Sequence, residues 1–228
     1  MAWTPLESNP DVINKFLAEL GVPQKWQVID VLSLDPDMLG LIPRATLAFI
    51  LLFPTNEKYE QFREKQDEQL KEKGQTISKN VYFTKQFISN ACGTIAMLHS
   101  IANNLDSIEL GDGFLKDFIK DTADKTPEER GVALQHHKSF ADAHNTIAVE
   151  GQTEVPTDEK PVIHHFVAFV HKDGQLYELD GRKSFPINHG DTSVETFVED
   201  AAKVMLQIIR SDPEEVRFTV CALSSQYD

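Results

Sequence analysis

Cysteine is scarce in this sequence, whose 228 residues contain only Cys92 and Cys221. Two thiols are too few for a disulfide-stabilised scaffold or for a four-thiolate metal site. The amino-terminal residues have neither the basic segment nor the apolar run of a secretory signal. We therefore expect a reducing, cytoplasmic location and a protein without a metal ion or cofactor.

Long hydrophobic runs and excess basic charge are also missing. The longest apolar stretch, Leu47–Phe53, is far shorter than the roughly 20 residues that span a bilayer as a helix, and it predicts a buried strand. Lys and Arg number 22 against 36 Asp and Glu, for a net charge of −14. Because nucleic-acid binding needs a basic surface, we expect neither nucleic acid nor membrane as a partner, and a basic protein or peptide is favoured.

Helical patterns are present in several parts of the chain. Asn9 and Pro10 are typical of a helix start, and the apolar stripe that follows ends near Gly21. A charged, exposed helix is predicted over 57–73, and a capping box at Thr126 predicts another helix start. The apolar spacing over 191–210 predicts a long amphipathic helix.

Strand patterns lie between these helices. Besides Leu47–Phe53, the sequence predicts a strand over Val216–Leu223 and a hairpin of His165–Val170 with Leu176–Asp180. Helices that alternate with an antiparallel hairpin indicate mixed α and β structure, with helices flanking a sheet. We expect one domain over residues 1–228.

Cys92 is the candidate nucleophile because it lies where a buried helix is predicted to begin, near Ala91. Unpaired N–H groups and the helix dipole at that position favour the thiolate form. The alternative is a small buried side chain without chemistry, which is the common role of a single cysteine. Cys221, in an apolar strand, is interpreted as structural.

A thiol hydrolase also needs a base, a group that orients the base, and a donor for the oxyanion. His165 opens the predicted hairpin and Asp180 closes it, so antiparallel pairing brings them together. Gln86 precedes Cys92 by six residues and offers an amide donor. The alternatives are a strand histidine and a loop glutamine without catalytic roles. His136, His137 and His144 are interpreted as exposed helix residues rather than metal ligands.

Five segments resemble the ubiquitin carboxyl-terminal hydrolase family of cysteine deubiquitinases, in its short form without a C-terminal extension. They are Gln86–Thr94, His165–Val170, Leu176–Arg182, Pro5–Pro10 and Val216–Phe218. The resemblance implies an antiparallel sheet between helices (α-β-α layers), related to papain-like proteases, with a knotted backbone. It also implies Cys92 as nucleophile, His165 as base and acid, Asp180 as its orienting residue and Gln86 as oxyanion donor.

The family's substrate contacts map onto further residues of this chain. The resemblance implies ubiquitin-binding roles for Pro5, Leu6, Glu7, Ser8, Asn9, Pro10, Glu154, Val155, Glu215, Val216, Arg217 and Phe218. The polar, proline-containing segment from Ala148 to Pro161 matches a loop that crosses over the active site and limits the size of the leaving group. A connection without a gating role is the alternative.

The resemblance therefore predicts thiol-dependent hydrolysis of ester, thioester, amide and small-peptide bonds at the C-terminal glycine of ubiquitin. Ubiquitin and its small adducts are the implied partners, and we expect a monomer. An alternative is a protein that binds or stabilises ubiquitin with little turnover. A third is a hydrolase of another ubiquitin-like tail.

Overall fold

The structure is a computed structural model that describes residues 2–151 and 163–225. Its helices are α1 (Pro10–Glu19), α2 (Glu57–Lys73), α3 (Cys92–Ala102), α4 (Phe114–Asp121), α5 (Pro127–Gln135), α6 (Lys138–Ala148) and α7 (Phe197–Ile209), with a 3-10 turn at Pro36–Leu41. Its strands are β1 (Trp26–Asp30), β2 (Thr46–Pro54), β3 (His164–Lys172), β4 (Gln175–Leu179), β5 (Ile187–Asp191) and β6 (Thr219–Ser225).

The strands form one antiparallel sheet in the order β1-β6-β2-β3-β4-β5. β2, which contains the apolar stretch predicted to be a buried strand, lies in the middle of that sheet. The hairpin prediction is confirmed, since β3 and β4 are joined through Asp173 and Gly174, whose φ angles of +50° and +76° suit a tight hairpin turn.

Two hydrophobic cores cover the two faces of the sheet. Along β2, Ala48 and Ile50 join the core that holds α1 and α3, whereas Phe49 and Leu51 join the core that holds α7. This alternation is the period-two pattern of a strand buried on both faces. The predicted sheet between helices is confirmed. The knotted path stays a prediction, because the chain from 152 to 162 is outside the described residues.

The predicted starts of α1 and α5 are confirmed, and each is capped by a side chain close to it in the sequence. The side chain of Asn9 accepts a hydrogen bond from the backbone N–H of Asp11 at 3.0 Å. Thr126 and Glu129 form the reciprocal bonds of a capping box, at 2.8 and 3.2 Å. None of the helices in the two described ranges is both long and apolar enough to cross a membrane.

The prediction of a helix over 191–210 was wrong about where the helix begins. Asp191 belongs to β5, and α7 begins only at Phe197. The hydroxyls of Ser193 and Thr196 accept hydrogen bonds from each other's backbone N–H, at 3.3 and 3.1 Å. Such local bonds stabilise a turn in place of a helix, and Val194 in that turn is 66% exposed.

Other boundaries also differ from the sequence analysis. The last strand begins at Thr219 rather than at Val216, since Glu215 accepts the backbone N–H of Arg217 in a local turn at 2.7 Å. The sequence did not predict β1, β5 or α4, and it indicated α6 only through the interpretation of His144 as a helix residue. β5 has no apolar alternation, and its pairing with β4 decides its structure.

Candidate active site

The thiol of Cys92 lies at the first residue of α3, and the preceding turn is unusual. Asn90 has a φ of +65°, in the left-handed region that asparagine tolerates better than most residues. Ala91 then precedes the helix, and Cys92 itself is 9% exposed. The helix N-terminus thus points its free N–H groups and positive dipole end toward this sulfur, which favours a thiolate.

His165 and Asp180 form a buried pair at the end of the β3–β4 hairpin. The Nε2 atom of His165 donates to Oδ1 of Asp180 at 2.7 Å, and both side chains are 1% exposed. The same oxygen accepts the backbone N–H of Arg182 at 2.8 Å. Because a carboxylate at Nε2 fixes the tautomer and ring orientation, Nδ1 is the nitrogen left to serve a nucleophile.

Electrostatic interactions among Cys92, His165 and Asp180 favour the charged form of each side chain. Burial alone would raise the pKa of Cys92, but the interaction with His165 and its positive charge outweigh burial and lower that pKa below 9.0. Burial would lower the pKa of His165, yet Asp180 and Cys92 raise it to about 9. Although burial opposes it, the imidazolium holds the pKa of Asp180 well below its usual range. A thiolate–imidazolium pair is the arrangement that these shifts favour.

Gln86 lies against the loop that follows Asp180. Its backbone N–H donates to the carbonyl of Gly181 at 2.9 Å, and its side-chain Nε2 donates to the carbonyl of Ile88 at 3.0 Å. A Cβ added at Gly181 would lie 3.0 Å from Cβ of Gln86 and 2.9 Å from Cγ2 of Ile95. Glycine at 181 therefore lets the Asp180 loop, the Gln86 segment and helix α3 pack directly together.

A buried histidine that the sequence analysis did not single out joins these same elements. Nε2 of His99 on α3 accepts the backbone N–H of Thr84 at 2.9 Å, so Nδ1 carries the proton and donates to the carbonyl of Leu179 at 3.2 Å. Burial lowers the pKa of His99 to about 4, which keeps it neutral. Its position seven residues after Cys92, on the same helix face, was the available signal.

Comparison with known proteins places this chain in a family. The family model described as ubiquitin carboxyl-terminal hydrolase, family 1, matches residues 3–210. This protein belongs to that family. Membership makes it a hydrolase of the cysteine-peptidase type, and it confirms the resemblance found in the sequence.

Relatives of this family member match it over nearly their full lengths. A ubiquitin carboxyl-terminal hydrolase of Drosophila melanogaster is 52% identical, over 99% of this chain and 98% of the relative. The human isozyme L1 is 45% identical, over 98% of each chain. Among solved structures, the UCH37 catalytic domain of Trichinella spiralis bound to ubiquitin vinyl methyl ester is similar with a TM-score of 0.77 and 26% identity, covering 99% and 97% of the two chains.

The segments predicted to contact ubiquitin meet on one part of this family member. The hydroxyl of Thr219, next to the 215–218 segment, donates to the hydroxyl of Ser8 at 2.8 Å. Val216 and Phe218 are 78% and 38% exposed, whereas Leu6 is buried. Glu154, Val155 and residues 152–161 of the predicted crossover lie outside the described residues.

The structure tests the interpretations of Cys221 as a structural residue and of the helix histidines as exposed. Cys221 is fully buried, and burial raises the pKa of its thiol to about 12, in agreement with a structural role. The prediction of exposed histidines was wrong for His144, which is completely buried on α6. Its partners Thr4 and Thr94 are distant in sequence, so local periodicity could not reveal them.

A second buried ion pair lies behind Asp180. The ammonium of Lys183 contacts the carboxylate of Glu178, and their side chains are 1% and 0% exposed. Lys183 also donates to Gln66 at 2.8 Å, and His189 donates to Glu178 at 2.8 Å. Burial would raise the pKa of Glu178, but Lys183 and His189 lower it to about 2. This network ties the loop after Asp180 to helix α2.

Replacing Lys183 by methionine should destabilise the fold strongly. The substitution leaves Glu178 buried without its ammonium partner, and breaking such a pair costs about 3–5 kcal/mol in the free energy of unfolding. Urea unfolding at pH 7 measures this loss. The double variant Glu178→Gln, Lys183→Met should recover most of it, because no uncompensated charge remains.

An exposed ion pair provides the control for this measurement. Lys58→Met removes the partner of Asp212 on the surface, where solvent screens the charges, so stability should change little. Equal losses in Lys58→Met and Lys183→Met would contradict the assignment. Since the pKa of Glu178 is depressed in the folded protein, its stabilising contribution is present above pH 4.5 and is lost as the pH falls toward 2.

Proposed function

We propose that this protein hydrolyses ester, thioester, amide and small-peptide bonds at the C-terminal glycine of ubiquitin. The observation that carries the proposal is the buried His165–Asp180 hydrogen bond beside a cysteine at a helix N-terminus. The interaction between His165 and Cys92 lowers the pKa of the thiol, as a nucleophile requires.

Each side chain has a distinct step in the proposed mechanism. The Cys92 thiolate attacks the glycine carbonyl, and the backbone N–H of Cys92 with the Gln86 amide stabilises the oxyanion. His165 then donates its proton to the leaving amine, thiol or alcohol, so that a thioester remains on Cys92. Water, deprotonated by His165, hydrolyses the thioester and releases ubiquitin. Asp180 stabilises the imidazolium throughout.

The charge of the protein suits ubiquitin as the substrate. The ubiquitin tail, Arg-Leu-Arg-Gly-Gly, brings two arginines toward the cleft, and a net charge of −14 attracts them and accelerates encounter. The exposed apolar side chains of Val216 and Phe218 and the neighbouring Pro5–Pro10 segment provide the contact surface. We assign the same role to Glu154 and Val155.

The remaining parts of the proposal concern organisation and location. One domain over residues 1–228 carries the activity, and the segment from 148 to 161 crosses over the site and limits the leaving group. The protein acts as a cytoplasmic monomer on small adducts of ubiquitin.

Two reagents test the proposed activity. Hydrolysis of a fluorogenic ubiquitin C-terminal amide reports turnover, and ubiquitin vinyl methyl ester should modify Cys92 covalently, as intact mass and peptide mapping would show. Turnover with labelling at Cys92 supports the hydrolase. Tight ubiquitin binding without turnover or labelling would instead identify a protein that binds or stabilises ubiquitin.

The role of Asp180 has a specific pH signature. Asp180→Asn removes the charge that stabilises the imidazolium, so the pKa of His165 should fall from about 9 by about one to three units. Because the protonated imidazole is the acid for the leaving group, the alkaline limb of kcat/KM should move to lower pH. Asp173→Asn, in the exposed hairpin turn, is the control. An alkaline limb that stays in place in Asp180→Asn would refute the role.

A further inference from the structure

The turn that precedes Cys92 is held by residues 2–6, which we call the N-terminal strap. Ala2 forms an isolated parallel bridge with Ser89, and the backbone N–H of Trp3 donates to the carbonyl of Ser89 at 2.9 Å. The side-chain Nδ2 of Asn90 returns a hydrogen bond to the carbonyl of Trp3 at 3.1 Å. The strap therefore runs beside the last residues before the nucleophile.

Asn90 needs such support because of its backbone. Its φ of +65° places a residue with a side chain in the left-handed region, at the point where the chain turns into α3. A strained conformation persists only where surrounding contacts hold it. The hydrogen bond from Asn90 to the strap is one such contact, and it lies two residues from Cys92.

The strap also contacts α3 just beyond Cys92. A Cβ added to Gly93 would lie 2.9 Å from Cδ2 of Leu6, so glycine at 93 lets the buried Leu6 side chain pack directly on the helix backbone. The strap thus contacts the chain on both sides of the thiol, at Asn90 and at Gly93. A displacement of the strap would move the helix start that carries Cys92.

His144 forms a further link between the strap and α3, through hydrogen bonds to both. Nε2 lies 2.6 Å from the carbonyl of Thr4, which only accepts, so Nε2 carries the proton and donates. Nδ1 then accepts the hydroxyl of Thr94 at 2.7 Å, one turn after Asn90. The ring of Trp3 packs on the imidazole at 4.7 Å, and Asn145 accepts the Thr4 N–H at 3.0 Å.

We propose that Asn90 and His144 are positioning residues, which act through the N-terminal strap to hold the Cys92 thiol in its reactive orientation. The inference rests on the proposed function in taking Cys92 as the nucleophile. It goes beyond that function in giving the N-terminal strap a role in reactivity that is separate from contact with ubiquitin. Neither Asn90 nor His144 needs to touch substrate for this role.

The matched substitutions separate the hydrogen bond from the backbone angle. Asn90→Gly keeps the left-handed conformation without strain and removes the side chain whose Nδ2 donates to the strap. His144→Ala removes both bonds, whereas His144→Gln retains a donor and an acceptor and should rescue part of the loss. Asn14→Ala is the control, since it removes two hydrogen bonds to Val28, between α1 and β1, away from the strap.

The readout is the rate of Cys92 alkylation by iodoacetamide across pH, which needs no ubiquitin. It is measured in a Cys221→Ala background and checked by peptide mapping. In Asn90→Gly, the rate at neutral pH should fall by about two- to tenfold, the equivalent of one hydrogen bond. Turnover of the fluorogenic ubiquitin amide should show the change in kcat, with KM within about twofold.

The results of these experiments distinguish the positioning role of Asn90 and His144 from the proposed function. Slower alkylation and lower kcat in Asn90→Gly and in His144→Ala, partial rescue by His144→Gln and unaltered alkylation in Asn14→Ala support the inference. Unchanged alkylation and kcat in a folded Asn90→Gly protein overturn it, even if its urea midpoint falls. If the wild type does not hydrolyse the ubiquitin amide but the alkylation pattern still changes as expected, the proposed function fails and the positioning role stands.

Discussion

Cys92→Ala should abolish hydrolysis of the fluorogenic ubiquitin amide, leaving a rate that is not distinguishable from the uncatalysed reaction. The substitution removes the only atom that forms the covalent intermediate in the proposed mechanism, and no other described thiol can replace it. The variant should still bind ubiquitin with an affinity close to that of the wild type, because the proposed contact segments are unchanged. Initial rates and titration calorimetry measure the two quantities.

The second cysteine provides a matched control. Cys221 is fully buried in β6, with its sulfur 3.7 Å from the hydroxyl of Ser8, and it takes no part in the proposed chemistry. Cys221→Ala should keep turnover near that of the wild type while lowering the unfolding midpoint through lost packing. Turnover that survives in Cys92→Ala, or that disappears in a folded Cys221→Ala protein, would contradict the assignment of the nucleophile.

Gln86→Ala should lower kcat by about 10²–10³-fold, which is the usual effect of removing one side-chain donor from an oxyanion hole. In the resting protein the Gln86 amide donates one of its two N–H groups to the carbonyl of Ile88, and the proposed mechanism uses the other. Because the oxyanion forms only in the transition state, KM should change little. Steady-state kinetics separate kcat from KM.

The control for this variant is a glutamine on the surface. Gln24→Ala lies in the connection between α1 and β1 and should leave both kinetic constants unchanged. If Gln86→Ala raised KM by the full factor and left kcat intact, Gln86 would be a substrate-binding residue rather than an oxyanion donor.

Local signals in the sequence predicted much of this fold. Asn9 with Pro10 defined the start of α1, and Asp173 with Gly174 defined the hairpin turn. The hairpin also explains why His165 and Asp180 were predicted to meet. In the structure Ala168 pairs with Leu179. This register makes His165 and Asp180 near-neighbours on one face of the sheet, at the end of the hairpin away from its turn.

The features that were not predicted depend on contacts between distant parts of the chain. His144 looked like a surface helix residue until Thr4 and Thr94 provided partners for both ring nitrogens. β5 is a strand only because β4 offers it a free edge. By contrast, β1 carries a usable signal, since Trp26 and Val28 alternate with more exposed residues.

The position of β6 has a consequence for biosynthesis. This strand lies between β1 and β2, so the six-stranded sheet cannot be completed until residues 219–225 have left the ribosome. Before that moment β1 has no neighbour, and one edge of β2 exposes unpaired backbone groups that invite intermolecular pairing. A nascent chain that already contains all of its proposed catalytic side chains therefore still lacks the strand that joins β1 to β2. Ribosome stalling shortly before residue 219 should produce aggregation-prone, inactive protein.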